Sequence, residues 1–186
     1  MEKIFCVGDS LIAGFPYDSG SSWIAEVGRL TGIGMINHGV CGECCDEITQ
    51  RLDSLATLFK NEDGSARVIF EGGMNDLLDG LSTDGAIGSM RLAKKICDER
   101  GAKIAFVMPW LVAASELDAK ISRLREAMTR GLAFDGVPLF DFEPIFEGNG
   151  DGRTRYFTWD GVHPNDTTYR LLGGHAAPLI KKWLGL

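Results

Sequence analysis

The sequence predicts an α/β fold in which helices cover a parallel β-sheet. Short runs rich in β-branched and aromatic residues alternate along the chain with longer amphipathic stretches, a pattern typical of parallel strands joined by helical crossovers. With 186 residues and 45% hydrophobic positions, the chain is long enough to bury a sizeable core and short enough for one domain. No internal repeat or linker divides it, so we expect a single domain over 1–186.

The pattern contains five strands and five helices. Strands are predicted at Lys3 to Val7, Gly34 to Asn37, Arg67 to Glu71, Lys103 to Met108 and Pro138 to Phe142. Helices are predicted at Ser22 to Thr31, Asp46 to Lys60, Asp84 to Arg100, Glu116 to Leu132 and Asp166 to Leu184. Ser115 is expected to cap the fourth helix. The longest irregular segment, Glu147 to Pro164, is of the length often found at functional loops.

Charge and hydropathy exclude several classes of partner. The chain has 19 basic and 26 acidic side chains and a net charge of -7, which disfavours binding to nucleic acids and anionic membrane surfaces. No run of apolar residues is long enough to span a bilayer. The apolar run at positions 4–7 is too short for a signal peptide, so we expect a cytoplasmic protein without membrane insertion.

The cysteines predict neither a disulfide framework nor a zinc site. They are odd in number and lack the paired spacing of zinc ligands, and they are Cys6, Cys41, Cys44, Cys45 and Cys97. Reduced thiols in a reducing compartment are therefore expected. The spacing from Cys41 to Cys44 also fits a redox pair, although no thioredoxin-like pattern surrounds it.

Polar or glycine-rich segments follow the first three predicted strands, at the sheet edge where such folds bind ligands. Ser10 follows the first strand and is either a nucleophile or an ordinary helix-capping serine. Gly39 and Gly42 follow the second, where backbone N–H groups face a ligand or form a tight turn. Asn75 follows the third, where its amide donates to an oxyanion or caps a helix.

Asp160 and His163 lie three residues apart in the long irregular segment. This spacing lets a carboxylate hold Nδ1 of an imidazole and leave Nε2 free to face a serine. The alternative is local hydrogen bonding within the loop. Each of these signals is weak alone, but together they occur in one order along the chain and at one edge of the predicted sheet.

These segments resemble the motif blocks of the SGNH hydrolases, also called the GDSL esterase and lipase family. The resemblance covers nearly the whole chain, and its blocks are Gly8-Asp9-Ser10-Leu11, Asn37-x-Gly39-x-x-Gly42, Gly73-x-Asn75-Asp76 and Asp160-x-x-His163-Pro164, similar to the family's first, second, third and fifth. The resemblance implies a flavodoxin-like, three-layer α/β/α sandwich with a five-stranded parallel sheet. That strand number agrees with the one predicted from the alternating pattern.

The resemblance also implies roles for the matching residues. Ser10 would be the nucleophile, His163 the base and Asp160 the group that orients it. The N–H groups of Ser10 and Gly42, with the Asn75 side chain, would form the oxyanion hole. The implied reaction is hydrolysis of a small-molecule carboxylic ester through an acyl-enzyme, with no metal and no cofactor.

The sequence is also compatible with two other functions. An acyltransferase would use the same Ser10 intermediate and pass the acyl group to an alcohol. A non-catalytic, flavodoxin-like module would bind phosphate or a nucleotide at the glycine-rich strand exits, although the chain has no GxxxxGK[ST] motif and no lysine at those exits.

The substrate is less well defined by the sequence. Short-chain acyl esters, acetylated sugars, lysophospholipids and thioesters all fit the family, and the lack of an obvious lid favours short esters; the oligomeric state is left open. The candidate substrate contacts are Phe15, Met74, Trp110, Phe157 and Trp159, although large apolar residues belong to the core more often than to a substrate pocket. Arg153 and Arg155 are expected either to bind an anionic group or to form a solvated loop face. His38, Cys41 and Met74 depart from the commoner family pattern and are expected to alter the pocket lining.

Overall fold

A computed structural model of the protein describes residues 2–59, 65–132, 136–148 and 150–186. Within these ranges, five parallel strands form one sheet in the order β2-β1-β3-β4-β5. The strands are β1 (Lys3–Gly8), β2 (Gly34–Gly39), β3 (Ala66–Phe70), β4 (Ala102–Val107) and β5 (Leu139–Phe140). The predicted α/β class and parallel sheet are confirmed, and the strand order is the flavodoxin-like one.

The helices predicted from apolar spacing are present, and two short helices accompany them. The α-helices are α1 (Ser10–Ala13), α2 (Trp23–Thr31), α3 (Cys45–Leu55), α4 (Met74–Leu78), α5 (Thr83–Glu99), α6 (Asp118–Gly131) and α7 (Asp166–Leu184). The short helices α1 and α4 span four and five residues. They escape prediction because periodicity needs a window of several turns.

The longer helices form two groups that cover the sheet. Helix α2 packs against α7, and α5 packs against both α3 and α6. The chain moves in opposite directions along the sheet in the crossovers from β1 to β2 and from β3 to β4. Because both crossovers are right-handed in such sheets, the two groups lie on opposite faces and the architecture has three layers.

Several predicted boundaries differ from the structure, among them those of the fifth strand, the second helix and the fourth helix. Strand β5 has two residues rather than five, because the Asp141 side chain accepts the Glu143 N–H at 3.0 Å and turns the chain out of the sheet. Ser115 does not cap α6, since it begins a short 3-10 helix and Leu117 is the capping residue, without a side-chain hydrogen bond. The second predicted helix ends early, at Leu55, and continues as a 3-10 turn; its predicted last residue, Lys60, lies outside the described residues.

The register of the sheet brings the ends of β1, β2 and β3 to one edge. Gly8 at the end of β1 lies opposite Gly39 at the end of β2, and the Glu71 N–H after β3 donates to Val7 O at 3.0 Å. Asn37 in β2 holds α1 at this edge, because its Nδ2 donates to Ile12 O in α1 at 2.9 Å. The segments that follow these three strands are therefore close neighbours.

Gly39 is required by this close packing. A Cβ atom built on Gly39 would lie 2.3 Å from Ala13 N and 2.7 Å from Ala13 Cα, so Gly39→Ala must push α1 away from the sheet. We expect Gly39→Ala to lower the free energy of unfolding by about 1–3 kcal/mol. Urea unfolding followed by circular dichroism measures this change.

Gly88→Ala is the matched control, because Gly88 lies within α5 and a Cβ atom there meets nothing within 4 Å. That variant should gain roughly 0.5–1 kcal/mol from helix propensity. Equal effects of the two substitutions would contradict the packing argument.

Candidate active site

Ser10 lies at the turn between β1 and α1. Strand β1 ends at Gly8 and α1 begins at Ser10, with Asp9 as the single residue between them. Asp9 is the helix cap, because its Oδ1 accepts the Leu11 N–H at 2.8 Å, so the alternative of Ser10 as a capping serine is wrong. As the first residue of α1, Ser10 has a backbone N–H that finds no acceptor within the helix.

A chain of side-chain hydrogen bonds runs from Ser10 to Asp160. Ser10 Oγ lies 2.8 Å from His163 Nε2, and His163 Nδ1 lies 2.6 Å from Asp160 Oδ2. The three residues come from opposite ends of the chain and meet at the sheet edge. Such an arrangement can transfer a proton from the serine hydroxyl to the imidazole while the carboxylate holds the ring.

Asp160 also organises its own loop. Its Oδ1 accepts the N–H groups of Val162 and His163, each at 2.9 Å, and the Thr158 hydroxyl at 3.0 Å. Asp160 therefore makes both kinds of contact expected from the sequence: Oδ1 makes the local hydrogen bonds of the loop, and Oδ2 contacts the imidazole. Partial burial raises the pKa of Asp160, but the hydrogen bonds from the His163 backbone, the His163 ring and the Val162 N–H outweigh it, and the net pKa lies below the ordinary value.

The loop that carries His163 is braced on both sides. The Thr158 N–H donates to His163 O at 2.8 Å, and the Ala113 N–H donates to Gly161 O at 2.9 Å. The Phe15 ring meets the imidazole edge-on with ring centroids 4.6 Å apart. These contacts fix the position of His163 relative to Ser10.

Gly42 and Asn75 lie on the segments that follow β2 and β3. Gly42 has φ +87° within the turn closed by the Glu43 N–H and Val40 O, a conformation that favours glycine. Asn75 is the second residue of α4 and its Nδ2 donates to Glu43 O at 2.8 Å and to Asp9 Oδ2 at 3.3 Å. The cap of α4 is Gly73, so the alternative of Asn75 as a helix cap is wrong.

Arg51 joins the ends of β1 and β2 and was missed by the sequence analysis. Its guanidinium donates to Gly8 O at 3.0 Å, to His38 O at 2.6 Å and to both carboxylate oxygens of Glu43. Because Glu43 O is also the acceptor of the Asn75 amide, Arg51 stabilises the turn that holds Asn75. An isolated arginine on an amphipathic helix carries no sequence signal for this role.

Comparison with known families agrees with this geometry. The model of the GDSL-like Lipase/Acylhydrolase family matches residues 6–171. The chain belongs to this family. It is therefore a hydrolase of the GDSL type that acts on ester bonds.

Solved structures of GDSL hydrolases share the fold. A member of the lipolytic protein G-D-S-L family from Veillonella parvula has a TM-score of 0.84 at 20% identity, covering 98% of this chain and 100% of that one. The psychrotrophic esterase EstA from Pseudoalteromonas sp. has a TM-score of 0.81 at 21% identity and covers both chains completely, at 100% each. A lipase/acylhydrolase from Enterococcus faecalis has a TM-score of 0.77 at 19% identity, covering 98% and 97%. A search of curated proteins finds no match.

The aromatic and apolar residues expected to contact substrate divide into two sets in this GDSL hydrolase. Phe15 is 38% exposed beside His163, and Trp159 is 88% exposed next to Asp160. Trp110 is completely buried and stacks near Phe142 and Phe146, and Met74 and Phe157 are also buried in the core. Trp110, Met74 and Phe157 thus match the alternative that these residues belong to the hydrophobic core.

The two arginines of the long loop have structural contacts. Arg153 is buried and donates to Gly148 O, to Leu111 O and to the Glu143 carboxylate at 2.6–2.9 Å. Arg155 is exposed and pairs with Glu147. Arg153 therefore holds the loop against the rest of the protein and does not form a solvated face.

The Cys44 and Cys45 thiols are poor nucleophiles. All five cysteines are unpaired. Burial, followed by the charges of Asp76 and Asp79, raises the pKa of the Cys44 thiol to about 12, and burial raises the pKa of Cys45 well above its ordinary value. A redox pair of Cys41 and Cys44 is disfavoured, because such pairs need a thiolate.

The described ranges contain neither a metal-binding cluster of side chains nor a membrane-spanning helix. In 2–59, 65–132, 136–148 and 150–186, no group of three or more histidine, cysteine or acidic side chains is placed to hold a metal ion. Helices long and apolar enough to cross a bilayer are likewise absent from the part of the chain that the structure describes.

Two further carboxyl groups lie buried below Ser10. Asp9 is 0% exposed and Glu71 is 2% exposed, and the two hydrogen-bond to each other. Burial raises the pKa of Asp9 to about 6, against the hydrogen bond from Leu11 that lowers it. Burial, together with the nearby Asp9 charge, raises the pKa of Glu71 well above its ordinary value.

The raised pKa of Glu71 makes stability depend on pH. The folded state keeps a proton that the unfolded chain releases above the ordinary Glu pKa of 4.5, so the free energy of unfolding should fall as pH rises through this range, by up to ~1.4 kcal/mol per pH unit. Glu71→Gln has no such proton. Urea unfolding at about pH 5 and about pH 8 should therefore show the variant gaining stability relative to the wild type as pH rises. Identical pH slopes for the two proteins would contradict a protonated Glu71.

Proposed function

We propose that the chain, as one domain over 1–186, is a serine hydrolase that cleaves carboxylic esters through an acyl-enzyme on Ser10. The observation that carries this proposal is the hydrogen-bonded chain from Ser10 Oγ through His163 to Asp160, with distances of 2.8 Å and 2.6 Å. A serine hydroxyl is a weak nucleophile until a base in contact removes its proton. Membership of the GDSL family supports the same chemistry.

Acylation begins when Ser10 Oγ attacks the ester carbonyl carbon and His163 Nε2 takes the hydroxyl proton. Asp160 holds Nδ1–H of the ring and stabilises the imidazolium that forms. Its lowered pKa keeps the carboxylate ionised at neutral pH. The tetrahedral intermediate then collapses, His163 returns the proton to the departing alcohol oxygen, and the acyl group stays on Ser10.

The oxyanion of the tetrahedral intermediate is assigned to three donors, the N–H groups of Ser10 and Gly42 and the amide of Asn75. One N–H of Asn75 is held by Glu43 O at 2.8 Å, which fixes the amide plane. The other points to Asp9 at 3.3 Å, a long contact for an N–H···O hydrogen bond. Because this contact is long, the second N–H can donate to a developing oxyanion while it is still oriented by Asp9.

Deacylation repeats the steps with water. His163 takes a proton from a water molecule, whose oxygen attacks the acyl carbon. The second tetrahedral intermediate then collapses: the bond from the acyl carbon to Ser10 Oγ breaks, His163 returns the proton to Ser10 Oγ, and the carboxylic acid leaves. The sequence of steps uses only side chains and backbone groups of the protein and requires no cofactor.

Short-chain acyl esters are the proposed substrates. Phe15 and Trp159 are the exposed aromatic residues of the candidate contacts beside the site, while Met74, Trp110 and Phe157 are buried in the core. The apolar surface left for an acyl chain is therefore limited. The unpaired thiols support a reducing, cytoplasmic location as part of the same proposal.

Ser10→Ala should abolish the reaction. We expect nitrophenyl acetate and butyrate to be hydrolysed by the wild type, and kcat/KM to fall more than about 1,000-fold in Ser10→Ala because the nucleophile is lost. Ser54→Ala is the matched control, since Ser54 is exposed on α3 and its hydroxyl donates to Gln50 O within the same helix. A chain-length series from acetate upward locates the acyl preference.

A phosphonate ester gives an independent readout. The Pseudoalteromonas esterase is inhibited by monoethylphosphonate, and an alkyl nitrophenyl phosphonate should label Ser10 here. Intact-protein mass spectrometry should show one adduct on the wild type and none on Ser10→Ala. Full ester hydrolysis or labelling in Ser10→Ala would refute the assignment of the nucleophile.

Asn75→Asp tests the oxyanion hole. Asn75→Ala should lower kcat on the order of 100- to 1,000-fold. Asn75→Asp should be at least as slow, because it places negative charge where charge develops and next to the buried Asp9. Steady-state kinetics at neutral pH compares the two, and a clearly faster Asp variant would show that this role for Asn75 is wrong.

A further inference from the structure

The buried pair of Asp9 and Glu71 lies directly behind the proposed oxyanion hole. Asp9 follows β1 and Glu71 follows β3, and the two strands are paired, so the carboxyl groups face each other across the sheet edge. Both side chains are almost completely buried. Burying two carboxyl groups without a role would be costly, because each loses its hydration.

The hydrogen bonds indicate which partner carries the proton. Asp9 Oδ1 accepts the Leu11 N–H at 2.8 Å and Asp9 Oδ2 accepts the Asn75 amide at 3.3 Å. Glu71 Oε2 is buried and has no hydrogen-bond partner among the described residues. Since a hydrogen bond between two carboxyl groups needs one proton, and since the N–H donors favour the charged form of Asp9, the proton belongs to Glu71.

We propose that Glu71 is a positioning residue for the oxyanion hole: its protonated carboxyl group donates to Asp9, which in turn orients the Asn75 amide. The donated proton also spreads the charge of Asp9, so the pair carries one negative charge rather than two behind the developing oxyanion. Glu71 touches neither the ester nor Ser10 in this scheme. The inference rests on the proposed function, because it assigns Asn75 to the oxyanion.

The other ionisable groups around the pair do not replace the Glu71 proton. Asp76 lies close enough to raise the pKa of Asp9, and its carboxylate is bound to the Cys45 N–H at 2.9 Å. The Tyr169 hydroxyl donates to Phe15 O at 2.8 Å.

Cys45 and His163 are further neighbours of the pair. The Cys45 thiol hydrogen-bonds to Asp76. His163 lies near Asp9 and becomes cationic during catalysis, when it takes the proton of Ser10.

Glu71→Gln and Glu71→Met form a matched pair that separates hydrogen bonding from packing. Both side chains are unbranched and similar in length to Glu, but only Gln can donate to Asp9. We expect Glu71→Gln to keep kcat within about threefold of the wild type, and Glu71→Met to lower kcat roughly 10- to 100-fold with little change in KM. If Glu71→Met does not fold, Glu71→Leu takes its place in the same comparison.

A double-mutant cycle with Asn75→Ala tests whether Glu71 acts through the amide. If it does, Glu71→Met should slow the Asn75→Ala enzyme by less than about threefold, because the group it positions is already gone. A purely structural role predicts that the two losses multiply. The proposal is overturned if they multiply, if Glu71→Gln is as slow as Glu71→Met, or if the loss appears in KM.

Failure of the proposed function is distinguishable from failure of this inference. The former appears as wild-type protein without Ser10-dependent ester hydrolysis or phosphonate labelling. The latter appears in an active wild type whose kcat does not respond to Glu71→Met, or responds independently of Asn75. Thermal unfolding of each variant, measured in parallel, confirms that the compared proteins are folded.

Discussion

The parallel pairing of β1 with β2 on one side and β3 on the other is the constraint on which the site depends. It sets the ends of three strands side by side, so that Ser10, Gly42 and Asn75 follow neighbouring strands. The guanidinium of Arg51 then ties the ends of β1 and β2 together through Gly8 O and His38 O. Movement of any of these strands would separate the nucleophile from its proposed oxyanion donors.

The same sheet edge holds three carboxyl groups that are shielded from water. Asp9, Glu71 and Asp76 are all buried beneath the site. Asp9 accepts the Leu11 N–H and Asp76 accepts the Cys45 N–H, while burial raises the pKa of Glu71 well above its ordinary value. Natural enzymes commonly accept lower stability where polar groups are needed for function. In the buried pair of Asp9 and Glu71, the same two carboxyl groups lower the stability of the fold and provide the proposed positioning of Asn75.

Much of the fold follows from local patterns. The alternation of short apolar runs with amphipathic segments predicts all five strands and the five long helices, with ends that differ by a few residues. The errors have local causes, such as the Asp141 turn that ends β5. The substrate contacts were harder to predict. Trp110 and Trp159 both lie in irregular segments outside the strands and helices, yet Trp110 is fully buried and Trp159 is 88% exposed. Sequence pattern does not distinguish an apolar residue that faces the core from one that faces a pocket.

The sequence by itself determined the fold class, the order of the motifs and the identity of Ser10, Asp160 and His163 as candidates, because residue chemistry and spacing along the chain carry that information. Only the tertiary structure decided that Glu71 meets Asp9, that Arg51 joins two strand ends and that Asn75 binds Glu43 O. These contacts join residues distant in sequence. They are set by strand register and helix packing, which are properties of the whole fold rather than of any local segment.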